Sequence, residues 1–115
     1  MSVENCNSLR RTQPQPKTGI VHLGLGAFFR AHAAVYLKEA MALSGGDWGV
    51  VGVSLRSSGM RDKLVQQDFL YTAVEMSERG LNTQIIDVVT DVLVAHEDPE
   101  AVLQAMANKN TCIVS

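Results

Sequence analysis

The stretch Gly24-Leu25-Gly26-Ala27-Phe28-Phe29-Arg30-Ala31-His32 constrains this chain more than any other part of it. It follows an apolar run, Ile20-Val21-His22-Leu23, and opens a segment with helical spacing. A strand, a tight glycine turn and a helix start are what a backbone needs to hold a pyrophosphate. Gly24 allows the sharp turn, and Gly26 lets the backbone approach the phosphates with no Cβ in the way. The N–H groups and positive dipole end of the new helix then face the anion. The third glycine of the usual pattern is here Phe29, so Gly-x-Gly alone is compatible with a plain strand-to-helix turn as well.

The 115 residues suffice for one domain with a real core. Hydrophobic residues make up 46 %, charged residues 19 %, and the net charge is -2, which gives no bulk electrostatic reason for nucleic-acid or membrane partners. No apolar run approaches the roughly 20 residues of a membrane span. The first 18 residues are polar, carry Pro14 and Pro16 and lack an apolar signal core. They read as a disordered leader of a cytoplasmic protein. Cys6 and Cys112 are expected to stay unpaired, Cys112 as a small buried hydrophobe, and no Cys/His spacing suggests a metal. Cys112-Ile113-Val114 reads as a buried strand at the chain's end, which suggests a piece of a longer protein.

Gly19 to Leu23 reads as a buried parallel strand. Phe28 to about Leu43 reads as a helix, with Ala27, Ala31, Ala34, Val35, Met41 and Ala42 on its apolar face and Gly45 as a left-handed cap. Trp48 to Leu55 is a second strand, which completes a βαβ unit. Ser57-Ser58-Gly59 reads as a cap for a short helix over Met60 to Gln67. Leu70–Met76 and Thr83–Val89, joined by the turn Glu78-Arg79-Gly80, form an expected antiparallel pair. Asp91–Ala95 reads as a short strand. Asp98-Pro99-Glu100 opens a helix to about Ala107, and Asn108-Lys109-Asn110 leads into the last strand.

Gly24, Gly26, Phe28, Arg30, Ala31 and His32 match a Gly-x-Gly-x-Phe-x-Arg-Ala-His signature. In it the chain resembles the polyol-specific long-chain dehydrogenases, the mannitol dehydrogenase family. The likeness continues through Val35-Tyr36, Asp47-Trp48-Gly49-Val50, Val53-Ser54-Leu55-Arg56 and Gln67-Asp68-Phe69-Leu70-Tyr71-Thr72, and covers about 19–115. Within the family the resemblance is greatest to the fructuronate reductases (mannonate oxidoreductases) of hexuronate metabolism, with mannitol and arabinitol dehydrogenases close. It implies an α/β fold: a Rossmann-like NAD(P)-binding domain with an incomplete parallel sheet, helices and an antiparallel strand pair. It also implies metal-free hydride transfer between NAD(H) and a ketose, a keto-sugar acid or a polyol. The implied organisation is a leader over 1–18 and the N-terminal part of the cofactor domain over 19–115. The family's catalytic lysine lies in a C-terminal domain that is expected to be absent here. None of Lys17, Lys38, Lys63 and Lys109 lies in its motif, so no catalytic residue is assigned. A non-catalytic nucleotide-binding module or an inactive remnant is the alternative.

The expected cofactor-binding residues are Gly24, Leu25, Gly26, Ala27, Phe28, Phe29, Arg30 and Arg56. Phe28 and Phe29 fit core packing as well as cofactor contact. Phe29 at the third-glycine position should make the helix sit differently from the usual fold. Arg30 can reach a phosphate bidentately or form a structural salt bridge. His32 reads as a hydrogen-bonded structural residue, His22 as a satisfied core histidine and His96 as surface. Coenzyme choice normally rests on a carboxylate at the end of the second strand. Here that end reads Val53-Ser54-Leu55-Arg56, and Asp47 lies at the strand's wrong end. The family favours NAD, while Arg56, able to accept a 2′-phosphate or to stack on adenine, leaves NADP open.

Overall fold

Residues 9–26 and 28–115 are described by the computed structural model. Ala27, Cys6 and the first eight residues of the expected leader lie outside them.

The described residues form six strands and three α-helices. β1 (Thr18–Leu23), β2 (Gly49–Ser54), β5 (Val89–Val94) and β6 (Ile113–Val114) form one sheet in the order β5-β2-β1-β6, and every pairing in it is parallel. β3 (Tyr71–Ser77) and β4 (Gly80–Ile86) form the expected antiparallel hairpin. α1 (Ala34–Ser44) is entered through a π-helical turn, Phe29–Ala33; α2 covers Gly59–Val65 and α3 Pro99–Ala107. The architecture is therefore a Rossmann-like α/β domain.

Alternation along the strands divides the core in two. Ile20 and Val50 face one side with Leu25, Phe29, Ala34, Leu64 and Ile86. Val21, Val51 and Val53 face the other, where Val102 of α3 covers them. Residues of both parities are buried because helices cover both faces, as a parallel sheet requires.

Several boundaries differ from expectation, each for a physical reason. The apolar face of α1 is out of phase with the sequence reading: Ala34 is buried and Val35 and Met41 pack on the core, but Ala31 and Ala42 are exposed. For Ala31 the π turn is the cause. Its closing bond runs from the Ala34 N–H to the Phe29 carbonyl, i to i+5, which slips the phase of residues before it against those after it. Gly45 caps α1 with φ +71°, but its ψ of -162° lies outside the left-handed helical region, in a conformation open to glycine alone. Ser58 precedes α2 without a side-chain cap bond; only its carbonyl is used, by the Asp62 N–H at 2.9 Å.

The expected strand Thr83–Val89 is two strands. β4 ends at Ile86, and the chain bends at Asp87 so that Val88 and Val89 enter the main core. Arg11 holds that bend, donating from its guanidinium to the carbonyls of Asp87 at 2.9 Å and Val89 at 2.6 Å. Its own N–H donates to the Asp68 carboxylate at 3.1 Å, and Arg10 donates to the Gln66 carbonyl at 2.8 Å. From residue 9 the expected disordered leader is thus tied to the domain by backbone acceptors and a carboxylate. Burial lowers the Arg11 pKa, against the opposing pull of Asp87 and Asp68.

The last strand is not buried. Ile113 and Val114 are about half exposed, and Cys112 is exposed rather than a core residue. β6 is the sheet's edge, and only β1 pairs with it. Among the described residues no helix is long and apolar enough to cross a membrane.

Candidate nucleotide-binding site

In an open parallel sheet, ligands bind beyond the carboxyl ends of the strands where the strand order reverses. Here that point lies between β1 and β6, on either side of which the chain winds in opposite directions. The turn after β1 sits there. Gly24 adopts φ +87°, which favours glycine, and its N–H donates to the Val53 carbonyl of β2 at 2.8 Å. The Gly26 N–H folds back on the Gly24 carbonyl at 3.0 Å, and the Arg30 N–H reaches the Gly26 carbonyl at 3.1 Å to start the helix.

The side chains of this stretch divide sharply. Leu25 is buried and plugs the turn onto the sheet: a Cβ on Gly52 would come within 2.9 Å of it. Phe29 is buried and stacks on His22, with ring centroids 4.2 Å apart. Phe28 is 77 % exposed and leans on His32. Phe29 is therefore a core residue and Phe28 a surface one. Where the usual third glycine lets helix and strand approach, the Phe29 ring fills the gap, and the helix begins with a π turn.

Above Gly26 there is open space, since a Cβ built there meets no atom within 4 Å. An exposed glycine beside open space, at a helix start, fits a pyrophosphate approaching the backbone.

Arg30 takes part in none of the ion pairs among the described residues, so the salt-bridge reading is not realised there. Its Nε is buried with no hydrogen-bond partner among the described residues, while its carbonyl accepts the Tyr71 hydroxyl at 2.8 Å. Burial raises the Tyr71 pKa, which keeps that phenol a donor. His32 is exposed and makes no hydrogen bond among the described residues, contrary to its expected structural role. His22 is half-buried, with Nδ1 2.7 Å from the Ser115 hydroxyl; burial lowers its pKa, opposed by a backbone bond at Gly24. Arg56 stands exposed just beyond β2, on the same edge of the sheet as the turn. Asp47 lies before β2 and accepts the Lys17 N–H at 3.1 Å, away from the turn.

Tyr71 and the Leu25–Gly52 contact escaped sequence reasoning. A glycine inside a buried strand signals a close approach, and Gly52 carried that signal. A concavity of about 610 Å³ involves Lys17, Thr18, Thr90 and Asn110 at the amino ends of the strands, the edge where this sheet geometry does not place ligands.

Comparison with known proteins agrees with this geometry. Residues 18–115 match the mannitol dehydrogenase Rossmann domain. The chain is 44 % identical over 108 residues to mannitol 2-dehydrogenase of Aspergillus niger, covering 91 % of this chain and 22 % of that protein. It is 39 % identical over 125 residues to mannitol dehydrogenase 2 of Saccharomyces cerevisiae, covering 100 % of this chain and 25 % of that one. The structure of Pseudomonas fluorescens mannitol 2-dehydrogenase in ternary complex with NAD and D-mannitol superposes with a TM-score of 0.79 at 35 % identity, over 86 % of this chain and 21 % of that one. Substrate-free D-sorbitol dehydrogenase gives a TM-score of 0.80 at 36 % identity, with the same coverage. The chain thus spans about a fifth to a quarter of the length of these relatives. Their names point to mannitol and sorbitol, not to the fructuronate reductases to which the resemblance was read as greatest. With residues 18–115 matched by the family's domain, the chain belongs to the mannitol dehydrogenase family, of which it carries the Rossmann domain.

Proposed function

We propose that this chain is the NAD-binding portion of a polyol dehydrogenase, acting on mannitol or a similar polyol and the corresponding ketose. The observation that carries this reading is the glycine turn at the strand-order reversal, with open space over Gly26. The names of the relatives move the proposed substrate from fructuronate to a polyol. The backbone around Gly24 and Gly26 would receive the pyrophosphate at the helix start, and the Arg30 guanidinium would supply a charged donor beside it. Leu25 and Phe29 act from the core by holding the turn's shape. When bound, the nicotinamide supplies the hydride acceptor and donor. No catalytic group is assigned to this chain, and its composition fits a cytoplasmic setting.

Gly26→Val tests this reading. The free protein has room for the side chain, so the variant should fold, whereas the pyrophosphate and a valine cannot share the space. Calorimetric titration with NAD should show affinity falling more than tenfold, a loss of at least about 2 kcal/mol, with the circular dichroism spectrum unchanged. Equal affinity in the folded variant would remove the assignment of this turn.

A further inference from the structure

Tyr71 reaches the start of the first helix from a distant part of the chain. Between α2 and β3 the backbone turns at Asp68 (φ +54°) and Phe69 (φ +60°), two neighbouring non-glycine residues in the left-handed region. Residues held there persist where the surroundings over-determine them, and they gather at functional sites. Here the surroundings are explicit. The Phe69 N–H donates to the Leu64 carbonyl at 2.8 Å and the Leu70 N–H to the Gln67 carbonyl at 2.9 Å. The Gln67 side chain donates to the Leu70 carbonyl at 2.9 Å, and the Asp68 carboxylate accepts the Arg11 N–H at 3.1 Å. The turn starts β3 on Tyr71, which pairs with the fully buried Ile86 and donates its hydroxyl to the Arg30 carbonyl at 2.8 Å.

That carbonyl is the one from which the π turn takes its ordinary partner. In an α-helix the Ala34 N–H would donate to Arg30, four residues back. Here it donates to Phe29, five residues back. The Arg30 carbonyl thus loses the donor an α-helix would give it, and the Tyr71 phenol supplies one in its place. Both ends of the stretch are fixed, since Phe29 is buried against His22 and Ala34 is fully buried. Arg30 lies between them. Among the described residues its side chain enters no ion pair, and its buried Nε has no hydrogen-bond partner, so the tie to Tyr71 acts on Arg30 through its backbone.

We propose that Tyr71 is a positioning residue for the dinucleotide: by holding the Arg30 carbonyl it keeps the π turn and aims the Arg30 guanidinium at the pyrophosphate. The proposal rests on the reading of the glycine turn as the dinucleotide site. Without the phenol, the Ala34 N–H can return to the Arg30 carbonyl. Each residue of an α-helix advances about 100° round the axis, so that return swings Arg30 away from its setting. The loss falls on the phosphate contact, which a planar guanidinium makes well only in a narrow range of directions.

Calorimetric titration with NAD over a double-mutant cycle of the 115-residue chain provides the test. Tyr71→Phe keeps the ring that packs on the core, so it should fold. It should weaken NAD about fivefold, in line with the net worth of one hydrogen bond. Arg30→Gln should weaken NAD at least about tenfold. In the Arg30→Gln background Tyr71→Phe should cost less than about twofold, because the group it positions is gone. A purely structural phenol would lower the urea midpoint and leave this coupling at zero. Tyr71→Phe binding NAD within about twofold of wild type would overturn the proposal. So would an equal loss in both backgrounds, or a Tyr71→Phe chain that does not fold. If Gly26→Val weakens NAD and Tyr71→Phe does not, the glycine-turn reading stands and the positioning role falls. If neither variant changes the affinity, or wild type does not bind NAD, both fall.

Discussion

His22 joins three parts of the fold through one imidazole. Its ring stacks on Phe29 at the helix start, its Nδ1 meets Ser115 beyond β6, and its backbone leads into Gly24. Burial holds its pKa below the ordinary 6.5. In the window between the folded value and about 6.5, the unfolded chain carries the proton and the folded chain does not. Stability therefore rises with pH across that window, is fully present above it, and is lost as the pH falls through it. Urea midpoints from pH 5 to 7.5 should drop more steeply for the wild type than for His22→Gln; parallel curves would show that His22 titrates alike in both states. Residues governed by local chemistry were readable in the sequence, Gly24 and Gly26 foremost, because a turn's backbone needs are set within a few positions. The stack of His22 on Phe29 was not, since it depends on where the helix packs. Cys112 was misread because apolar composition marks a strand without marking which side of the sheet is covered.

At the level of elements, α3 and the π turn make a contrast. α3 begins with Asp98, whose carboxylate accepts the Ala101 N–H, and with Pro99, whose missing N–H costs nothing there. These signals sit in three consecutive residues, and the sequence expectation for this helix matches the structure. Asp98→Ala leaves an N–H of the first turn without its side-chain partner and should cost about 1 kcal/mol, read as a lower urea midpoint with an unchanged slope. A change below a few tenths of a kcal/mol would mean that water replaces the cap at no cost. The π turn has no such signature. Hydrophobic periodicity assumes 3.6 residues per turn, so one wider turn shifts the positions within and before it against those after it, and Ala31 was assigned to the wrong face for that reason. The β4–β5 break was hidden in a different way. Ile85 to Val89 is a continuous run of strand-forming residues apart from Asp87, and the bend is fixed by Arg11, distant in sequence.

For the molecule as a whole, the sheet has an uncovered side. Ile113 is 45 % and Val114 48 % exposed, on a strand whose outer edge is open. An open, apolar edge pairs readily with another chain. The 115-residue chain should associate as concentration rises, and Ile113→Lys should reduce that association while leaving the Val21–Val114 pairing intact. Light scattering across a dilution series measures it, and identical curves for the two proteins would place the contact elsewhere. The fold class was legible because a βαβ unit with a glycine turn fits few architectures; the strand order was not, because it is set by long-range pairing. That pairing also has a consequence in time. The central strand β1 is made well before β6, since His22 and its partner Ser115 are 93 residues apart. At the roughly 5–20 residues per second of protein synthesis, β1 waits on the order of 5–20 s with one flank bare. The turn after β1 therefore takes its final setting only once Ser115 has been made, and until then the nascent chain leaves that flank of the strand bare.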